Sequence, residues 1–182
     1  LAKCLNNMGA KIAGAGTAQM RIEGVKSLTK TDYSIISDRI VAGTYVIAAI
    51  MLNNKFKISN IDPKLLSTPL KVLQNMGAKL DIGNDYITVL PSNTIKGTTL
   101  ETKPYPGFPT DLQAQIMALM SIAKGQSQIK EKIFENRFMH VSELNRLGAN
   151  ITIKNDTAYI EGEQKLKGAP VMASDLRASV SL

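Results

Sequence analysis

Three segments of this chain repeat one pattern, and that repeat restricts its fold more than any other feature. LAKCLNNMGAKI (residues 1–12), LLSTPLKVLQNMGAKL (65–80) and HVSELNRLGANI (140–151) each read as a helix that stops at a glycine. The glycines are Gly9, Gly77 and Gly148, spaced 68 and 71 residues apart. A glycine there can take the left-handed conformation that ends a helix without a Cβ clash. Short alternating stretches follow and predict strands at Gln19–Glu23, Tyr86–Leu90, Ile151–Ile153 and Ala158–Glu161.

The second half of the unit recurs too. Asp38 opens SDRIVAGTYVIAAIML, Asp111 opens TDLQAQIMALMSIA and Asp175 opens SDLRASVSL. Each aspartate follows Ser or Thr and is placed to cap the free amides of a helix start. The first helix is apolar nearly all round from Val41 to Leu52, which predicts burial on every side. The second carries Leu112, Ile116, Leu119, Met120 and Ala123 as one wide apolar stripe. Strands are expected after them at Lys55–Ser59 and Gln128–Ile133. The unit is thus helix, strand, strand, helix, strand over about seventy residues, longer than solenoid repeats. Repeats of this size build a pseudo-symmetric α/β domain, with helices inside and sheets around them. Two copies span most of the chain, and a third opens at Asp175.

Composition excludes several classes. The net charge of +7 comes from 22 Lys plus Arg against 15 Asp plus Glu. That balance favours anionic partners, but the cations are scattered and no block of five or six occurs, as on a solvated lysine-rich surface. The longest nearly apolar run, Tyr45–Leu52, is far short of a membrane span. Cys4 is the single cysteine, so no internal disulfide is expected, and a reducing cytoplasm fits. No charged-then-apolar leader opens the chain. A start at Leu1 and an end inside an apolar segment read as an internal fragment, whose cut edge would invite pairing with a second copy.

Few residues could carry chemistry. Asp111 is a helix cap on one reading. On the other, it is a carboxylate delivered by the rigid segment PYPGFPT, a good mount for a general base. IFENRFMH (133–140) gathers two Phe, a Glu, an Asn, an Arg and the only His between a strand and a helix. Loops on rigid scaffolds hold ligand groups; equally, the Phe residues could be core, and Glu135 with Arg137 a surface pair worth little. His140 has no second ligand at metal spacing, so no metal is expected. Cys4 has no base beside it in sequence and fits a packing thiol. Gly14–Thr17 (GAGT) is too short for a phosphate loop.

PYPGFPTDLQAQIMAL, IFENRFMHVSELNRLGAN, SDLRAS and DRIVAGTYVIAA resemble the enolpyruvyl transferases, specifically the branch that acts on UDP-N-acetylglucosamine in peptidoglycan synthesis. The NMGAK repeats fit the same family, and the likeness runs the full length of the chain. The resemblance implies an α/β fold, an inside-out barrel of βαβαββ units. It implies that residues 1–35 are the tail of one domain and residues 36–182 most of another. The implied reaction moves enolpyruvyl from phosphoenolpyruvate to the sugar 3-hydroxyl, and phosphate leaves through a tetrahedral intermediate without metal or cofactor.

By resemblance, Asp111 hydrogen-bonds the 3-hydroxyl and acts as its base. Ile133 contacts the N-acetyl group through its backbone, with Phe134 beside it and Glu135 and Arg137 in the same segment. Asp175 and Arg177 match a pair near phosphoenolpyruvate, and Arg39 matches an arginine of the interdomain cleft. The family's proton-donor cysteine lies in the other domain, and Cys4 does not match it, so the chain alone is expected to be inactive. The rivals are the shikimate 3-phosphate enzyme, against which IFENRFMH argues, a non-catalytic binding module, for nucleic acid given the charge of +7, and a degenerate paralogue. The implied partners are the two small substrates, with neither nucleic acid nor membrane.

Overall fold

The computed structural model describes residues 1–17, 19–173 and 175–182. Ala18, in the first repeat, and Ser174, which precedes Asp175, lie outside the described residues. The chain divides into two compact units, Leu1–Ile36 and Ser37–Leu182.

The first unit holds helix α1 (Ala2–Asn7) and an antiparallel pair, β1 (Lys11–Ala13) and β2 (Arg21–Glu23), with Ile12 opposite Ile22. Asn6 ties the helix to the strand: its side chain accepts from Ile12 N at 2.9 Å and donates to Ile12 O at 2.8 Å. β2 is two residues shorter than the sequence suggests. Cys4 is half-buried.

In the second unit, α2 (Arg39–Met51) leads to β3 (Phe56–Ser59), and a 3-10 turn (Pro63–Leu66) leads to α3 (Ser67–Asn75). β4 (Lys79–Ile82) and β5 (Tyr86–Leu90) complete an antiparallel sheet of order β3-β5-β4. The next stretch is one full βαβαββ unit: β6 (Thr99–Glu101), α4 (Gln113–Ile122), β7 (Gln126–Lys130), α5 (Val141–Arg146), β8 (Asn150–Lys154) and β9 (Thr157–Glu161). Its sheet has order β6-β7-β9-β8, with β6 and β7 parallel. The α/β architecture built on repeated units is the expected one.

Gly9, Gly77 and Gly148 have φ of +98°, +107° and +100°, so each helix ends in the left-handed turn the repeat implies. The same side-chain clamp recurs in the third repeat, where Asn145 accepts from Ile151 N and donates to Ile151 O, both at 2.9 Å.

α2 and α4 pack together beneath the two sheets, but their burial is the reverse of the expectation. α4 is enclosed on all sides, with every residue from Gln113 to Ser121 buried. α2 leaves a stripe open, with Val41 48%, Tyr45 56% and Leu52 71% exposed. Apolar periodicity cannot see neighbours. Some polar groups of α4 find local partners: Ser121 Oγ donates to Met117 O (3.0 Å), and Gln115 Nε2 donates to Thr44 Oγ1 on α2 (3.1 Å), whereas Gln113 Nε2 and Gln115 Oε1 are buried without a partner among the described residues. At Gly43, α2 comes so close to the turn leading into α4 that a Cβ would lie 2.6 Å from Leu112 Cδ1. Strand β7 ends at Lys130, so Ile133 stands in a loop rather than at a strand end.

Candidate active site

The site residues lie around the start of α4 and the loop after β7. At the start of α2, Asp38 behaves as a cap: its Oδ1 accepts from Ile40 N (2.8 Å) and Val41 N (3.1 Å). Asp175 makes the same pair of amide bonds just ahead of the 3-10 turn Ala178–Ser181, accepting from Arg177 N (2.8 Å) and Ala178 N (2.7 Å). Asp111 does not cap, contrary to the repeat pattern. Pro109 occupies the N-cap position, a 3-10 turn at Thr110–Leu112 precedes α4, and no side chain caps it. The Asp111 carboxylate instead faces Arg137, whose Nη2 donates to Oδ1 at 3.1 Å.

Arg137 is therefore not the partner of Glu135. It is mostly buried, with 17% of its side chain exposed. Its Nη1 donates to Thr110 Oγ1 at 2.8 Å, and its guanidinium lies 5.0 Å from the centre of the Phe134 ring. Both Phe residues of the loop were candidates for the core; Phe138 is buried there, whereas Phe134 is exposed.

Beneath this pair sits Glu131, 4% exposed. Its Oε1 accepts from Thr102 Oγ1 (2.7 Å), Ile133 N (2.8 Å) and Phe134 N (3.2 Å). Its Oε2 accepts from Thr110 Oγ1 (3.0 Å). A buried carboxylate demands such partners, and here they come from three separate segments. A cavity of 480 Å³ opens over the loop, lined by Lys132, Ile133, Phe134, Arg137 and Asp156 among others.

Two further groups feel the same charges. The amide of Ala178 holds the Asp175 carboxyl below the usual carboxylate range; the Arg177 amide and the Arg137 charge pull the same way, against partial desolvation. His140 is buried, which pushes its imidazole down to about 4; the Asp175 carboxylate opposes that shift and Arg137 adds to it. Its Nε2 has no hydrogen-bond partner among the described residues.

The structure thus brings Asp111, Ile133, Phe134 and Arg137 into one cluster, with Asp175 close enough to share its electrostatics. Arg39 is elsewhere, over the Tyr105 ring of the PYPGFP segment at 5.4 Å. Arg177 faces a 550 Å³ cavity beside the open stripe of α2. Sequence reasoning missed Glu131 and Thr110. A signal was present: Ser127 and Ile129 point inward from β7, and Glu131 continues that parity as an acid. Among the described residues, no three His, Cys, Asp or Glu side chains group as metal ligands. Nor is any helix long and apolar enough to cross a membrane.

The fold of repeated βαβαββ units is the one enolpyruvyl transferases share. The chain belongs to the EPSP synthase (3-phosphoshikimate 1-carboxyvinyltransferase) family, whose sequence profile matches residues 1–182. It is 53% identical over its whole length to the UDP-N-acetylglucosamine 1-carboxyvinyltransferase of Desulfosudis oleivorans, covering 44% of that protein. It is 51% identical to the protein of the same name from Pelagibacter ubique, again covering 44% of it. The chain therefore spans less than half the length of these relatives. Among solved structures, the enolpyruvyl transferase NikO from Streptomyces tendae matches 96% of this chain and 43% of its own, with TM-score 0.83 and 25% identity. The EPSP synthase of Acinetobacter baumannii shares the fold at TM-score 0.70 and 18% identity, over 99% of this chain and 46% of its own.

Proposed function

We propose that these 182 residues are part of a longer cytoplasmic enzyme that transfers enolpyruvyl from phosphoenolpyruvate to the 3-hydroxyl of UDP-N-acetylglucosamine. That transfer is the first committed step of peptidoglycan synthesis. Residues 1–35 would be the tail of one domain and 36–182 most of the other, a division supported by the compact units Leu1–Ile36 and Ser37–Leu182. The choice of sugar nucleotide over shikimate 3-phosphate rests on the names of relatives at about 53% identity across the whole chain.

One observation carries the catalytic reading: Asp111 stands at a helix start where Asp38 and Asp175 cap, yet its carboxylate is released from capping and oriented by Arg137. A carboxylate so held can accept the proton of the sugar 3-hydroxyl as that oxygen attacks. Arg137, donating from Nη2 to Oδ1, keeps the acid aimed. Ile133 offers backbone groups to the N-acetyl arm, with the exposed Phe134 ring beside it. Asp175 and Arg177 serve the phosphoenolpyruvate side, and Arg39 the cleft. No metal or cofactor enters this reading.

The test is phosphate release from phosphoenolpyruvate with UDP-N-acetylglucosamine or with shikimate 3-phosphate as acceptor. The complete enzyme should turn over the sugar nucleotide alone, and the 182-residue chain should release no phosphate with either. Turnover by the isolated chain, or preference for shikimate 3-phosphate, would defeat the proposal.

A further inference from the structure

We propose that Glu131 is the positioning residue of this site: it sets the Asp111–Arg137 geometry through Thr110 and fixes the backbone of Ile133 and Phe134. The inference rests on the enolpyruvyl-transfer reading above and adds a residue to it.

The case begins with what a buried carboxylate can do. Ionised, it only accepts, and its two oxygens are used asymmetrically. Oε1 takes Thr102 Oγ1 and the amides of Ile133 and Phe134, so it pins the loop to the end of β6. Thr102 is itself fully buried and its Oγ1 accepts from Lys132 N (2.8 Å), which closes a ring around the loop's first turn.

Oε2 takes the single proton of Thr110. A hydroxyl whose proton is committed can then only accept, and what it accepts is Arg137 Nη1, while Nη2 of the same planar fork reaches Asp111. Each link of Glu131–Thr110–Arg137–Asp111 therefore has a fixed donor: Thr110 donates to Glu131, and Arg137 donates to both Thr110 and Asp111. The guanidinium plane, and with it the carboxylate it holds, follows from where Oε2 lies.

Glutamine in place of Glu131 separates this role from mere filling of space. Oε1, facing three donors, must stay an oxygen, so the amide NH2 replaces Oε2. Thr110 Oγ1 then receives two donors, from the amide and from Arg137, and its own proton loses its acceptor. The loop stays anchored, but the order of the chain is broken at Thr110. Thr110→Val cuts the same link with little change of volume, and Thr110→Ser keeps it by retaining the hydroxyl.

The experiment is steady-state kinetics of the complete enzyme with Glu131→Gln, Thr110→Val, Thr110→Ser and Asp111→Asn, singly and with E131Q combined with D111N. Misplaced catalytic groups lose roughly 10²-fold, so kcat should fall by about that factor in E131Q and T110V, with KM for phosphoenolpyruvate unchanged. T110S should recover most of the loss, and E131Q should cost little more once Asp111 is already Asn. Unaltered kcat in E131Q or T110V, or losses that multiply fully in the double variant, would overturn the inference. Should E131Q fail to fold, the T110V and T110S pair decides alone. Full turnover by D111N would instead sink the underlying functional reading, so the two failures are distinguishable.

Discussion

The starts of α2 and α4 are the same position in two copies of one repeat, and they have diverged in how the aspartate is used. At α2, Asp38 spends its carboxylate on two amides of its own helix. At α4, Pro109 and a 3-10 turn begin the helix without a side-chain cap, and Asp111 turns to an arginine 26 residues further on. The first arrangement is local and contributes to helix stability. The second depends on distant partners, and leaves a carboxylate oriented at the mouth of a loop. Asp175 combines the two: it caps like Asp38 but lies within the field of Arg137. A duplicated fold thus yields a functional residue where one copy gives up a structural job.

The sharpest way to break this comparison is to make one chemical change at both sites. Asp111→Asn in the complete enzyme should lower turnover by roughly 10²- to 10⁴-fold, the usual weight of a positioned general base. Asp38→Asn should leave turnover unaltered. Equal kinetic effects at the two positions would mean that Asp111 has no role beyond the one Asp38 plays.

How much of this was visible beforehand follows from how local each interaction is. The three helix-ending glycines were legible because a left-handed turn is a property of a few residues, and strand β5 falls on Tyr86–Leu90 as its alternation predicts. Asp111 was not legible in the same way. Ser37–Asp38 and Thr110–Asp111 look alike as dipeptides, and what separates them is Glu131 and Arg137, brought in by the chain's return along β7 and its loop. Burial failed for a related reason. α2 has the more apolar sequence, but α4 has the more complete set of neighbours, one of which, Thr44, takes a hydrogen bond from the buried Gln115 amide.

Acid offers a second, smaller lever, through His140 and Asp175. The folded His140 has its pKa lowered to about 4 from an ordinary 6.5 by burial. Between those values the unfolded chain binds a proton that the folded chain refuses, so stability is complete above pH 6.5 and falls as pH drops towards 4. The whole effect amounts to about 3 kcal/mol, most of it spent by the lower limit. The lowered Asp175 carboxyl adds a loss below the ordinary carboxylate range, because its contribution is present above that range and disappears as pH falls through the folded value. The thermal midpoint of the 182-residue chain should therefore fall from pH 7 to pH 5, and His140→Phe should flatten that slope. An identical slope in the variant would show that the histidine is not held neutral by burial.

The smallest effects should lie at Asp38, and they complete the contrast. Asparagine caps a helix about as well as aspartate, since its amide oxygen can accept from the same amides, whereas alanine leaves them to water. Asp38→Asn should thus change the unfolding free energy by only a few tenths of a kcal/mol, and Asp38→Ala should cost about 1 kcal/mol. Urea unfolding of the 182-residue chain, followed by far-ultraviolet circular dichroism, measures both. At Asp111 the order of sensitivity is inverted, because what matters there is the charge facing Arg137 rather than an acceptor oxygen facing an amide. Asp111→Asn should then leave the unfolding midpoint close to that of the parent chain while removing turnover from the complete enzyme. A loss of about 1 kcal/mol for Asp111→Ala that Asp111→Asn fully restores would return Asp111 to the status of a cap.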